Sequence, residues 1–239
     1  MIQLFLLPGF LGEARDFDAF RAEMEKLAPA IRTDAVDWMD EASWLADEEF
    51  ETVGEALARE LKARTRPGAT VAVLGYSLGG RLALALHEYL RAQGDHATRF
   101  IFVSANPGLA VTSERDARLK ADAQWAGRFR SEEWSKLMTD WNAQGVFQGS
   151  VSEPDRARRK GQRDLLAKVL MQWSLAKQPD HRARLTAAAD FLWITGGKDA
   201  KFTALAQGIP NAKTIPTASH RVHLDAPADL ARMVSEELA

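Results

Sequence analysis

The stretch from residue 70 to residue 86 constrains this chain more than any other. Thr70-Val-Ala-Val-Leu74 is an apolar, partly β-branched run of strand character, and Gly75-Tyr76-Ser77-Leu78-Gly79 follows it without a spacer. Gly80-Arg81-Leu-Ala-Leu-Ala-Leu86 then continues as small and apolar residues of helical character. A strand that gives way to a helix across a single serine is a nucleophile elbow. The serine sits on a strained turn, the flanking glycines let neighbouring backbones approach, and the helix amino terminus favours negative charge developing beside it. The five-residue pattern alone arises easily by chance; the strand before it and the helix after it give it weight. Without that context it would be a glycine-rich turn with an idle serine.

The rest of the chain repeats the alternation. Short runs rich in β-branched and aromatic residues predict strands over 2–7, 30–36, 70–74, 99–104, 191–195 and 212–215. Apolar residues three and four apart predict helices over 17–27, 50–63, 78–91 and 228–238. Strands alternating with crossover helices build a mostly parallel sheet covered on both faces, an α/β fold. The alternation stops between Pro107 and about residue 185, where helical patterns continue without a convincing strand. Such an insertion is most simply a cap over the carboxyl edge of the sheet, where ligands of parallel sheets bind. The expected organisation is a core of residues 1–106 and 188–239 and a helical cap of residues 107–187.

Charge and composition narrow the function. Lysine and arginine number 31 against 33 aspartates and glutamates, a net charge of −2, so no basic field exists for nucleic acid or an anionic membrane, and neither is an expected partner. The local run Arg156-Ala-Arg158-Arg159-Lys160 reads as a solvated helical face. The absence of cysteine removes disulfides, thiolate metal sites and a cysteine nucleophile, and fits a reducing compartment; the cytoplasm is the expected location. The opening apolar residues lack a basic flank and stop at Pro8, and no later run nears the ~18 apolar residues of a membrane helix, so an unprocessed, soluble chain is expected.

A serine hydroxyl is a weak nucleophile until an imidazole takes its proton, and the imidazole needs an acid to hold its tautomer. On this fold the order is serine, acid, histidine. Phe191-Leu-Trp-Ile-Thr195-Gly-Gly-Lys-Asp199 delivers Asp199 at the carboxyl end of a strand, whereas Asp190 begins that strand at the wrong edge and Asp225 follows the histidines. His87, His96 and His181 lie outside the expected terminal loop, and His220 follows the last strand directly, so His220 is the expected base. His223 is either part of the site wall or structural. The oxyanion hole is expected from the amides of Leu78 and of Phe10, the latter in Leu7-Pro8-Gly9-Phe10-Leu11-Gly12. Neither a helical His-Glu-x-x-His nor a dinucleotide glycine fingerprint is present, so no metal or organic cofactor is implied.

These residues resemble the α/β-hydrolase superfamily and, within it, the synthases that make 2-succinyl-6-hydroxy-2,4-cyclohexadiene-1-carboxylate in menaquinone biosynthesis. Through most of the chain, the resemblance is carried by Gly9-Phe10-Leu11-Gly12, Gly75 to Arg81, Asn106-Pro107-Gly108-Leu109 with Arg118, the segment around Trp141, Gln178-Pro179-Asp180, Asp199-Ala-Lys-Phe202 and His220-Arg-Val-His223. It implies a lyase: the serine acts as a base on a ring proton and pyruvate leaves by elimination, without an acyl-enzyme. It implies Tyr76, Arg81, Arg118 and Trp141 as contacts of a small polyanionic substrate, with guanidinium forks facing carboxylates. It also implies a third arginine late in the cap, for which Arg158, Arg159 and Arg163 are alternatives. If idle, Arg118 would pair with Glu114 one turn earlier, and Trp141 would be cap core.

The chain departs from the family pattern in places. Pro8 replaces a histidine before the oxyanion glycine, Ser219 replaces a glycine before His220, and the segment from Asp37 to Trp44 stands where a Pro-Gly-His-Gly type of turn is usual. Proline stiffens the oxyanion loop but leaves the Phe10 amide available. The competing expectation is a serine esterase or acyl hydrolase with the same triad, distinguished by an apolar rather than anion-binding cap. A non-catalytic binding protein on this fold is a third class, disfavoured by the complete triad.

Overall fold

The computed structural model describes residues 1–152, 154–187 and 190–239. Among them, six strands, β1 (Ile2–Leu7), β2 (Ile31–Ala35), β3 (Thr70–Tyr76), β4 (Arg99–Val103), β5 (Phe191–Gly196) and β6 (Ala212–Ile215), form one sheet in the order β2-β1-β3-β4-β5-β6. Every pairing is parallel. Along the chain run α1 (Asp18–Leu27), α2 (Val53–Arg64), α3 (Leu78–Ala92), α4 (Thr112–Ser131), α5 (Trp134–Asn142), α6 (Arg163–Gln172), α7 (Arg182–Ala187), α8 (Ala200–Leu205), α9 (Val222–Asp225) and α10 (Pro227–Leu238). The chain is thus a mostly parallel α/β sheet with flanking helices.

The near-continuous apolar runs of the central strands follow from burial on both faces. Successive side chains of a strand point to opposite sides: Leu4, Leu6, Ala72, Leu74, Ile101 and Ile194 pack with Phe20, Met24, Leu230 and Val234 of α1 and α10. Phe5, Leu7, Val73, Phe100, Phe102 and Trp193 pack on the other side with Leu57, Leu82 and Leu86 of α2 and α3. α10 shows the helical counterpart: Pro227 occupies its first turn, where a missing N–H costs nothing, and Leu230, Val234 and Leu238 recur every fourth residue as its buried stripe.

Boundaries shift by a few residues from the sequence expectation. The predicted helix over 17–27 begins as a 3-10 turn (Ala14–Phe17) before α1, and the strand predicted over 99–104 ends at Val103 because Ser104 turns to φ 47°. The strand over 70–74 continues to Tyr76, carrying the chain straight to Ser77.

The insertion between β4 and β5 holds α4 to α7, and no strand occurs among its described residues; residues 188 and 189, just beyond its expected end, lie outside the described residues. Its run 156–160 is not a solvated helical face. It forms a 3-10 segment (Ala157–Gln162) docked on the core: Arg156 is buried against Asp16, Arg159 is fully buried against Asp37, and only Arg158 of the three arginines stays exposed, paired with Asp40. Composition could not show this, because the acidic partners lie more than a hundred residues away in sequence. Among the described residues no helix is long and apolar enough to cross a membrane.

Candidate active site

The elbow is built as its sequence demands. Ser77 stands between β3 and α3 at φ 51° and ψ −110°, a conformation that side chains rarely adopt, and its amide donates to the Val103 carbonyl at 2.9 Å. The turn leaves no room beside it: a Cβ on Gly79 would lie 2.2 Å from the Leu7 carbonyl oxygen, and one on Gly75 would lie 2.4 Å from that of Gly79. Glycine at both positions brings α3 against the end of β1, so the loop after β1 and the first turn of α3 flank the serine together.

β5 ends in a short loop that delivers Asp199, and the loop after β6 delivers His220. His220 Nε2 lies 3.2 Å from Ser77 Oγ and its Nδ1 lies 2.8 Å from Asp199 Oδ2. Asp199 caps α8, its Oδ1 accepting from the Phe202 amide at 3.1 Å, which fixes the carboxylate before it meets the imidazole. Both side chains are buried. Burial pulls the His220 pKa below the usual histidine range despite the opposing Asp199 carboxylate, so the ring is neutral and able to accept a proton at neutral pH. The rejected acids are engaged elsewhere: Asp190 pairs with Arg91, and Asp225 accepts from the amides of Ser219 and Val151.

Ser77 and His220 open on a cavity of about 310 Å³ whose walls include Phe10, Leu78, Arg81, Arg118, Trp141, Phe147 and Lys201. Leu78 is the first residue of α3, where amides have no acceptor within the helix. Phe10 packs its ring between Phe129 and Trp141 of the insertion, with centroids 5.3 and 4.9 Å away. Arg81 is buried; its Nε donates to Gln178 Oε1 at 2.5 Å and its Nη2 to the Trp173 carbonyl at 2.7 Å. Burial, together with the neighbouring Arg118, depresses the Arg81 pKa, so this guanidinium is held in surroundings that disfavour its charge. Arg118 does not pair with Glu114: it grips Asp122, one turn later on α4, with both carboxylate oxygens 2.9 Å from Nε.

Tyr76 lies outside this main cavity. It lines a side chamber of about 60 Å³ shared with Ser77, Trp141, Arg156 and His223. The His223 ring stands 4.2 Å from that of Tyr76, fully buried, with Nδ1 unpartnered among the described residues. Burial lowers its pKa to about 3, so it is a neutral ring of the chamber wall.

None of the three late arginines lines the main cavity. Arg158 pairs with Asp40, Arg159 with Asp37, and Arg163 donates to the carbonyls of Phe129 and Glu132. The additional cation on the wall is Lys201, in the first turn of α8 and near enough to His220 to help lower its pKa. Its signal was present in Asp199-Ala-Lys-Phe202, two residues after the acid, but nothing local separates it from an exposed helical lysine. The carboxylate of Asp122 lies in the same wall, and nothing local in the sequence distinguishes it from an exposed helical aspartate.

Pro8 and Ser219 each make a contact with a distant segment. The Pro8 carbonyl accepts the Trp38 indole N–H at 3.0 Å, and Ser219 Oγ donates to the Gln148 carbonyl of the insertion at 2.6 Å.

Comparison with known proteins agrees with this architecture. The model of the alpha/beta hydrolase family matches residues 4–233. The 2-succinyl-6-hydroxy-2,4-cyclohexadiene-1-carboxylate synthase of Enterobacter sp. (strain 638) is 32% identical over 242 residues, covering 98% of this chain and 91% of that protein. The synthase of the same name from Citrobacter koseri is 36% identical over 174 residues, 70% of this chain and 67% of its own. Among solved structures, MenH from S. aureus superposes with a TM-score of 0.79 at 22% identity, covering 99% of this chain and 93% of its own. An esterase from Exiguobacterium antarcticum reaches 0.64 at 16% identity, covering 100% and 92%; at these identities both solved structures share the fold. The chain belongs to the α/β-hydrolase family and, within it, resembles the 2-succinyl-6-hydroxy-2,4-cyclohexadiene-1-carboxylate synthases.

Proposed function

We propose that this protein is a carbon–oxygen lyase that eliminates pyruvate from a polycarboxylated cyclohexene intermediate of menaquinone biosynthesis, as the names of its relatives suggest. One observation carries the reading: Ser77 and His220 share a cavity with the guanidinium groups of Arg81 and Arg118. Two cations held close together, one of them desolvated, are relieved by an anion that enters between them, so the arrangement favours a substrate with more than one carboxylate. In this reading Ser77 Oγ, having passed its proton to His220, takes a ring proton. The C–H electron pair becomes a ring double bond, the ring C–O bond breaks, and the leaving enolpyruvate is protonated to pyruvate. Asp199 stabilises the imidazolium that forms. The amides of Phe10 and Leu78 face the oxygen on which charge accumulates as the proton leaves. Tyr76 and Trp141, which flank Ser77 in the side chamber, shape that end of the site.

A second reading, hydrolysis of a small carboxylic ester, is favoured by a different observation. Both arginines already have protein partners, and Trp141, Phe147, Leu170 and Leu175 give the cavity apolar walls. The test is pyruvate release from the intermediate, generated in place by the enzyme that forms it, beside a panel of nitrophenyl esters, with Ser77→Ala and Arg118→Ala. Rapid elimination lost in both variants, with the esters ignored, supports the lyase. Ester turnover dependent on Ser77 and indifferent to Arg118, without pyruvate, supports the hydrolase.

A further inference from the structure

The loop that carries the Phe10 amide is held from outside at both ends. Between Leu7 and Gly12 it folds tightly: the Gly12 amide donates to the Gly9 carbonyl at 3.0 Å, and Leu11 is forced to φ 64°. The loop's own carbonyls at Pro8 and Gly12 are taken by side chains distant in sequence. The Trp38 indole N–H donates to the Pro8 carbonyl at 3.0 Å, and Arg159 Nη2 donates to that of Gly12 at 2.6 Å.

Arg159 is wholly buried, and its charge is met by Asp37, whose two oxygens lie 3.0 and 2.9 Å from the same nitrogen. Asp37 is fixed in turn by the amides of Met39 and Asp40. The other guanidinium arm donates to Gln162 at 2.9 Å and stands 3.3 Å from Asp40. A buried ion pair contributes little net stability compared with an apolar pair of the same volume, but displacing either partner leaves an uncompensated buried charge, which holds Arg159 and Asp37 in this arrangement.

We propose that Arg159, with Trp38, is a positioning residue of the oxyanion loop: from the helical insertion it fixes the Gly12 carbonyl while Trp38 fixes that of Pro8, and together they aim the Phe10 amide at the oxygen bound beside Ser77. The proposal rests on the reading of Phe10 and Leu78 as oxyanion donors. It makes the insertion part of the catalytic apparatus, because the arginine reaches the loop across 147 positions of sequence. It also assigns Arg159 to the loop rather than to substrate.

The test uses a fluorophosphonate, which reads the oxyanion hole whatever the natural substrate. Ser77 Oγ attacks phosphorus, fluoride leaves, the serine proton passes to His220, and the phosphoryl oxygen occupies the hole. The rate constant of inactivation and the probe's binding constant are measured separately for wild type, Arg159→Met, Arg159→Lys and Trp38→Phe. Arg163→Met serves as comparison, because Arg163 bonds carbonyls of the insertion alone. The expected result is a loss of tenfold or more in the inactivation rate constant for Arg159→Met and Trp38→Phe, with the binding constant within about twofold. Partial recovery is expected in Arg159→Lys, and an unchanged rate constant in Arg163→Met. Trp38→Phe keeps an aromatic ring on Trp173 while removing the indole N–H together with part of the ring volume, so it reads the Pro8 contact even if Arg159→Met does not fold. A wild-type rate in Trp38→Phe and in the folded Arg159 variants, or an equal loss in Arg163→Met, overturns the proposal alone. Wild-type protein unlabelled at Ser77 overturns the oxyanion reading and the proposal with it.

Discussion

The guanidinium of Arg118 spans both carboxylate oxygens of Asp122 one turn along α4, and the same carboxylate accepts the Ser174 hydroxyl at 2.6 Å. On the proposed reading, a substrate carboxylate competes with this buried internal one. Asp122→Asn keeps an acceptor for Ser174 and removes the competing charge. It is expected to lower the KM for a polycarboxylate, or the inhibition constant of succinate, by roughly fivefold to tenfold. Arg118→Ala should raise the same constants at least tenfold, and a neutral ester should respond to neither change. Steady-state kinetics with both substrate classes checks this.

Neutral His220 is the form able to take a proton, and burial keeps its pKa below the usual histidine value near 6.5. The acid limb of kcat/KM is accordingly expected below pH 6.5. Asp199→Asn removes the carboxylate that supports the protonated ring, so the limb should move further down in pH while kcat falls on the order of 10³- to 10⁴-fold. Ser77→Ala and His220→Ala should each lose at least as much, and the double variant little more than either, because the residues act as one unit. A pH–rate profile of the variants is the measurement.

His223 links acid to stability. Its pKa is about 3 in the folded protein, chiefly through burial, against about 6.5 unfolded, so below pH 6.5 the unfolded chain binds a proton that the folded chain refuses. The folded state is unpenalised above pH 6.5 and loses up to about 1.4 kcal/mol per pH unit as pH falls towards 3. His223→Phe preserves a ring beside Tyr76 and removes the titration. Between pH 7 and pH 5 the wild type is expected to lose about 2 kcal/mol more than this variant in urea unfolding.

The strain at Ser77 is removable. Ser77→Gly suits φ 51° and should abolish activity while raising stability by about 1 kcal/mol. Gly79→Ala should do the reverse to the fold, costing about 3 kcal/mol or more, because its Cβ would meet the Leu7 carbonyl at 2.2 Å and no flexible group is there to yield. Thermal unfolding of the two variants separates backbone strain from loss of chemistry.

Local pattern made the α/β fold legible. Near-continuous apolar runs mark the four central strands β1, β3, β4 and β5 because burial on both faces imprints itself on consecutive residues, whereas the edge strands β2 and β6 carry polar, part-exposed residues and a weaker signal. The elbow was equally local, since a strand, a glycine-flanked serine and a helix are adjacent in sequence. The order of Ser77, Asp199 and His220 was readable because topology delivers each at the carboxyl end of its strand, where the three side chains meet.

Only tertiary structure decided how the charges are spent. Whether Arg118 faces Glu114 or Asp122, both one turn away, depends on which carboxylate packing buries. The run 156–160 looked solvated because Asp16 and Asp37 reach it from the far end of the chain. Tyr76 in the side chamber and Lys201 on the main wall follow from how segments distant in sequence come together around Ser77. A sequence states which groups carry charge; desolvation and partners set by folding decide whether a given arginine is left for a ligand or holds a backbone carbonyl in place.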